Sequence, residues 1–393
     1  MIKINERRAH MKTYLYAKGY FLPEGLTGPG YLEIANGKFG SFSTEKPTTG
    51  KLLNFEENLI APGLVDTHIH GYQGFDVMDQ DLAGLNTIAT GILTGGVTSF
   101  LPTTLTASTT DLDGVCRLIG EHAADIQGAK VQGIFLEGPF FSETYKGAQN
   151  AAYMSDPDVE RLSRWQKLAK GLIRKIAIAP ERAGSLPFIT YAKEHHIHVA
   201  IAHTDATYEE CRIAVDEGAS IFVHTFNGMR GLHHREPGVV GAALSLQETF
   251  MELICDGHHV HPVSAGIAMD AHGRETTMLV SDCMRGGGLG DGHSRLGEFD
   301  VTIKDGVARL DSNGALAGSV LDLITAVRNV VAWGIATPEE AIQMASLIPA
   351  KSVGIDDECG QIKEGYAADF IVLSEELILE KTYMDGVLVY TKQ

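Results

Sequence analysis

The chain has 393 residues, with 32 Lys and Arg against 50 Asp and Glu, a formal net charge of −18. That acidic balance excludes nucleic acid and anionic membrane surfaces as partners, because phosphate-rich surfaces require clustered Lys and Arg. Five scattered cysteines, odd in number and without CxxC spacing, exclude a disulfide framework or Cys-rich zinc site and point to a reducing cytoplasm.

The first twelve residues are polar and charged, unlike a signal peptide. Met11 is a candidate start, with residues 1–10 as an extension. Residues 13–60 carry short β segments, among them Tyr14–Ala17 and Tyr31–Ile34, with Asn36-Gly37 marking a hairpin. From about residue 60, short apolar runs alternate with longer helical patterns. The runs are Leu59–Val65, Val97–Leu101, Val131–Leu136, Ile173–Ala179, His198–Ala202, Ser220–Val223, Met251–Cys255 and Thr277–Val280. Fully buried parallel strands have this pattern. Eight strand–helix units predict an α/β fold, a (β/α)8 barrel of the TIM type. Gly286–Gly288 reads as a flexible run and a candidate mobile loop. The chain then returns to β character at Gly360–Leu373 and Met384–Tyr390. Both chain ends are expected to pair in a small β-sandwich domain, residues 1–61 and 355–393, beside a barrel over 62–354. No apolar stretch reaches the roughly 18 residues of a membrane span.

Such a barrel places its chemistry where strands end. The runs are followed by Asp66-Thr67-His68-Ile69-His70, Pro102-Thr103-Thr104, Glu137-Gly138-Pro139, Pro180-Glu181, His203-Thr204, His224, Asp256-Gly257-His258-His259 and Ser281-Asp282. Residues two apart in an extended segment share a face, so His68 and His70 can grip one ion. Alone, the pair reads equally as two histidines bonded in a turn, and Asp282 as a helix N-cap. Glu137, His203, His224 and Asp282 at matching strand ends shift both readings toward metal. His, Asp and Glu without thiolate suit Zn, Fe or Mn. Six ligands exceed the needs of one tetrahedral ion, so one or two divalent ions are expected. Glu181 reads as a partner of Arg182 or Arg174. His233, His234, His258 and His261 read as solvated or packed histidines.

These motifs resemble the amidohydrolase superfamily and, within it, the N-acetylglucosamine-6-phosphate deacetylase family. The matching stretches include Ala61–Gly71, Leu136-Glu-Gly-Pro-Phe, Lys146-Gly-Ala, Ala202–Tyr208, His224-Thr-Phe-Asn-Gly-Met, Arg235-Glu-Pro-Gly, Asp256-Gly-His-His-Val, Val280-Ser-Asp and Leu316-Ala-Gly-Ser. They run in order from about residue 60 to 320. The resemblance implies a two-metal amidase with His68, His70, Glu137, His203, His224 and Asp282 as ligands. Asp282 would be the general base, then the general acid. It implies a sugar site of Ala148, Asn227, Gly228, Leu316, Ala317 and Gly318, and a homodimer in which Arg235 and His259 reach the phosphate in the neighbouring site. Guanidinium suits phosphate through its paired donors, although Arg235 beside Glu236 also reads as a surface ion pair. One departure stands out: the family usually has His where this chain has Gln149, which puts a substrate contact in doubt.

Two other readings compete. One is a cyclic amidase or deaminase on the same barrel, but the common cyclic amidases need a Lys where this chain has Glu137. The other is a non-catalytic barrel scaffold, which predicts missing ligands, yet all six positions are filled.

Overall fold

The structure, a computed structural model, describes residues 12–392. The proposed extension over residues 1–10 lies outside the described residues. Barrel strands one to eight are Leu64–Ile69, Val97–Pro102, Ile134–Phe140, Ile173–Ile178, His198–Ile201, Ala219–Phe222, Phe250–Leu253 and Thr277–Leu279. Strands one and two pair in parallel, and strands three to eight pair in parallel in chain order. Two seams close the ring. The Thr104 N–H donates to the Phe135 carbonyl at 3.0 Å, and the Asp282 N–H donates to the His68 carbonyl at 2.9 Å. Each of the eight apolar runs supplies a strand of a (β/α)8 barrel, largely buried on both faces, although Val131 of the third run falls in a separate short strand, Lys130–Val131, and the barrel strand starts at Ile134.

The first run needs a correction. Leu59–Val65 spans two elements: Lys51–Pro62 belongs to another sheet, and the barrel begins at Leu64. Gly63 sits between them, hard against strand two. A Cβ there would lie 2.0 Å from Thr98 Oγ1, so only glycine permits the approach.

The two chain ends share one eight-stranded sheet. Its order is Val387–Thr391, Leu379–Met384, Phe370–Leu373, Lys51–Pro62, Thr13–Leu22, Gly30–Ala35 and Lys38–Ser43, with Gly25–Thr27 paired to Thr13–Leu22. The Phe39 N–H donates to the Tyr366 carbonyl at 2.9 Å. This folds the Lys38–Ser43 edge back toward the chain leading into Phe370–Leu373. Leu15, Tyr20, Phe39, Phe370 and Tyr383 fill the space enclosed, apart from the barrel's own core. The Asn36-Gly37 turn has both residues at positive φ, 53° and 74°, as a two-residue hairpin demands.

A third sheet had no counterpart in the sequence reading. Gly292–Leu296, Phe299–Lys304 and Val307–Leu310 form an antiparallel unit after strand eight. Its apolar side packs Leu296, Val301, Ile303 and Leu310 on Leu105 and Met284. Gly286 and Gly287 are buried beneath it, against Ile303, Cys283 and Tyr72, so the glycine run begins as a packed turn. No helix among the described residues is long and apolar enough to cross a membrane.

Candidate metal centre

Six buried side chains converge at the C-terminal ends of the barrel strands. They form two groups, His68 with His70 and Asp282, and Glu137 with His203 and His224. His68 Nε2 lies 3.3 Å from His70 Nε2, and His203 Nε2 lies 3.2 Å from His224 Nε2. Glu137 stands between the groups. Its Oε1 is 3.3 Å from both His203 Nε2 and His224 Nε2, and its Oε2 is 3.4 Å from His70 Nε2. Asp282 Oδ1 is 3.1 Å from His70 Nε2 and 3.4 Å from His68 Nε2.

The backbone bends sharply to bring these groups together. His203, His224 and Asp282 all hold positive φ, at 44°, 29° and 48°. Non-glycine residues rarely adopt this region, and such strain gathers at functional sites.

The outer ring nitrogens explain which lone pairs face inward. His68 Nδ1 donates to Glu252 Oε2 at 3.0 Å, His70 Nδ1 to the Thr103 carbonyl at 3.3 Å, and His203 Nδ1 to the Tyr145 carbonyl at 2.9 Å. Each bond places the proton on Nδ1 and aims the Nε2 lone pair at the centre. Facing lone pairs and carboxylates repel unless a cation lies among them. A proton on an inward ring nitrogen can serve as that positive charge, and the carboxylates favour one. Burial opposes ionisation of Glu137, yet the His203 and His224 imidazoles hold its carboxyl well below the usual range. Burial likewise opposes ionisation of Asp282, but His68 and His70 hold it to about 2. Burial works against a proton on His70, but Asp282 and Glu137 push its pKa up to about 9. This buried anionic cluster calls for positive charge, and the donor set fits a divalent ion.

The sequence reading missed what lies beneath. Glu252 in strand seven and Lys175 in strand four form an ion pair, with neither side chain exposed. Besides His68, Glu252 accepts the His224 N–H at 3.2 Å, so one carboxylate braces both groups. A charged residue inside each of two apolar runs was the signal, since buried charge must be paired. Glu181 also differs from expectation. It accepts the Thr204 hydroxyl at 2.5 Å and the Asp205 N–H at 2.7 Å, tying down the loop that follows His203. Arg182 pairs with Asp156 instead.

A cavity of about 130 Å³ opens over the cluster. Ala148, Asn227, Gly228, Leu316 and Gly318 line it, while Ala317 is buried behind. His259 lines the cavity of its own chain, where the resemblance implied a neighbour's. Its Nδ1 is bonded to Asp256 Oδ2 at 2.6 Å. Arg235 is exposed, bonded to His234 at 2.7 Å, and does not line this cavity. His261 is exposed and caps the helix Pro262–His272, its Nδ1 accepting the Val263 N–H at 3.2 Å.

A family model for the amidohydrolase family matches residues 59–389. The chain belongs to the amidohydrolase family. It is 42% identical over 332 residues to an N-acetylglucosamine-6-phosphate deacetylase of Vibrio furnissii, covering 84% of this chain and 83% of that one. Identity to an N-acetylgalactosamine-6-phosphate deacetylase of Escherichia coli O157:H7 is 36% over 379 residues, covering 96% and 99%. Among solved amidohydrolase structures, a mutant N-acetyl-D-glucosamine-6-phosphate deacetylase of Mycobacterium smegmatis, in complex with N-acetyl-D-glucosamine-6-phosphate, superimposes with a TM-score of 0.90 at 30% identity. It covers 97% of this chain and all of that one. The enzyme of Thermotoga maritima gives a TM-score of 0.85 at 29% identity, with 97% and 99% covered.

Proposed function

We propose that this amidohydrolase is a divalent-metal-dependent deacetylase, converting N-acetyl-D-glucosamine 6-phosphate and water to D-glucosamine 6-phosphate and acetate. The observation that carries the reading is the six-ligand cluster opening into a cavity beside His259. The proposed ligands are His68, His70, Glu137, His203, His224 and Asp282. When bound, a divalent ion supplies Lewis acidity toward water and the acetyl carbonyl. Zn, Fe and Mn all suit the donors.

Asp282 faces the cavity with its carboxylate held ionised. It takes one proton from the attacking water and returns it to the departing amine nitrogen. Ala148, Asn227, Gly228 and the Leu316–Gly318 segment hold the sugar. His259, oriented by Asp256, offers its Nε2 toward the phosphate. Arg235, turned away from its own cavity, completes the phosphate site of a second copy. Exposed apolar side chains support a homodimer through this region: Leu232 is 61% exposed, Val263 62% and Ile267 58%. Among the described residues, we assign 62–354 to the catalytic barrel, and 12–61 with 355–392 to the β domain. The five cysteines are buried and unpaired, in keeping with a reducing cytoplasm.

One specific observation favours a second substrate. The relative named for the galactosamine epimer aligns along 96% of this chain. A cyclic amidase is disfavoured because Lys175, buried in strand four, is committed to Glu252. The test is acetate release from N-acetylglucosamine 6-phosphate against the unphosphorylated sugar. The phosphorylated sugar should react far faster; equal rates would sink the phosphate assignment.

A further inference from the structure

We infer that Gln149 is a positioning residue for Glu137, holding the carboxylate that links the two halves of the metal centre. The inference rests on the metal-dependent reading above and deepens it. Gln149 stands in the loop after strand three, with only 4% of its surface exposed. Its amide is clamped at both ends. The side-chain carbonyl accepts the Thr106 N–H at 2.8 Å, and the amide nitrogen donates to Glu137 Oε2 at 2.6 Å. A backbone N–H can only donate and an ionised carboxylate can only accept. The amide therefore has one orientation that satisfies both partners.

The bond falls on a particular oxygen. Glu137 Oε1 lies 3.3 Å from both His203 Nε2 and His224 Nε2 and 3.6 Å from His68 Nε2, whereas Oε2 lies 3.4 Å from His70 Nε2. Gln149 thus fixes Oε2 and leaves Oε1 turned to the space shared by His203, His224 and His68. The loop anchoring it reaches Thr106, past the end of strand two, so two barrel loops cooperate in aiming one ligand. Gln149 also lines the site cavity and a neighbouring cavity of about 210 Å³. A residue acting only on substrate would not need the clamp.

The experiment uses the full chain, stripped of metal by chelation and titrated with Zn²⁺ against a chromophoric chelator. Two variants are compared with the native chain: Gln149→Leu, which removes both bonds, and Gln149→His, which keeps an N–H donor. A hydrogen bond to a charged group predicts a loss of about ten- to a hundred-fold in affinity for the weaker-bound ion in Gln149→Leu. Its kcat for N-acetylglucosamine 6-phosphate should fall with KM nearly unchanged. Gln149→His should recover most of the affinity. Native Zn²⁺ affinity in Gln149→Leu, with only KM raised, would overturn the inference and make Gln149 a substrate contact. Should Gln149→Leu fail to fold, Gln149→Ala takes its place: a loss of about ten- to a hundred-fold in affinity supports positioning, and native affinity overturns it. A native chain that binds no Zn²⁺ but still deacetylates overturns the metal reading. One that binds Zn²⁺ and shows no deacetylation leaves positioning testable by affinity and overturns only the substrate.

Discussion

Lys175 Nζ is bonded to Glu252 Oε1 in the middle of the barrel, and the other oxygen of Glu252 receives His68 Nδ1 at 3.0 Å. A pair of opposite charges with no solvent access thus stands directly behind a metal ligand. Lys175 also lies over the Phe135 ring, 3.8 Å from its centre. The pair brings a full negative charge up to His68 without leaving that charge unbalanced.

Lys175→Met should cost about 3–5 kcal/mol, because it strands the Glu252 charge in the interior. Urea unfolding of the metal-free chain reads this directly. Adding Glu252→Gln to Lys175→Met should recover most of the loss. Equal destabilisation in the single and double variants would contradict the pairing.

Acid should reveal the same pair. Burial raises the Glu252 pKa, but Lys175 and His68 outweigh it and hold the carboxyl to about 2, against about 4.3 for an unfolded Glu. A folded-state pKa below the unfolded one contributes stability that is present above about pH 4.3 and lost as pH falls toward 2. The melting temperature of the metal-free chain should drop across that window. The drop should be shallower in Lys175→Met/Glu252→Gln, and an identical slope would exclude Glu252 as a source.

Replacing His68 and His70 together with Ala should lower bound metal toward one ion per chain, with Glu137, His203 and His224 keeping the other. Elemental analysis after dialysis checks this. Unchanged metal content would make the pair structural.

Asp282→Asn should keep its bound metal and lose turnover by about 10²–10⁴-fold, the range for removal of an acid–base group. Near-native turnover would assign the proton transfers to another residue.

The barrel was legible because its signal is local. Each strand is a short apolar run, and each ligand follows its run within a few residues, as His203 follows His198–Ile201. The hairpin of Phe299–Lys304 and Val307–Leu310 was missed although Asp305-Gly306 and the alternation of its residues signal it; what the sheet covers, Leu105 and Met284, needed the fold. Lys175 and Glu252 lie 77 residues apart, and nothing local joins them. The resemblance placed His259 at a neighbour's phosphate, whereas the turn braced by Asp256 sets it against the cavity of its own chain. Gln149 was visible as a departure from the family, while its clamp on Glu137 required the fold.

The most direct test of the account measures acetate release and metal content on one sample, chelated and then restored with Zn, Fe or Mn. N-acetylglucosamine 6-phosphate, its galactosamine epimer and unphosphorylated N-acetylglucosamine are the substrates. The account predicts negligible release from the stripped chain, recovery in proportion to bound ion, and strong preference for N-acetylglucosamine 6-phosphate. Full activity in the stripped chain, or no release from any phosphorylated sugar after metal is restored, would contradict it.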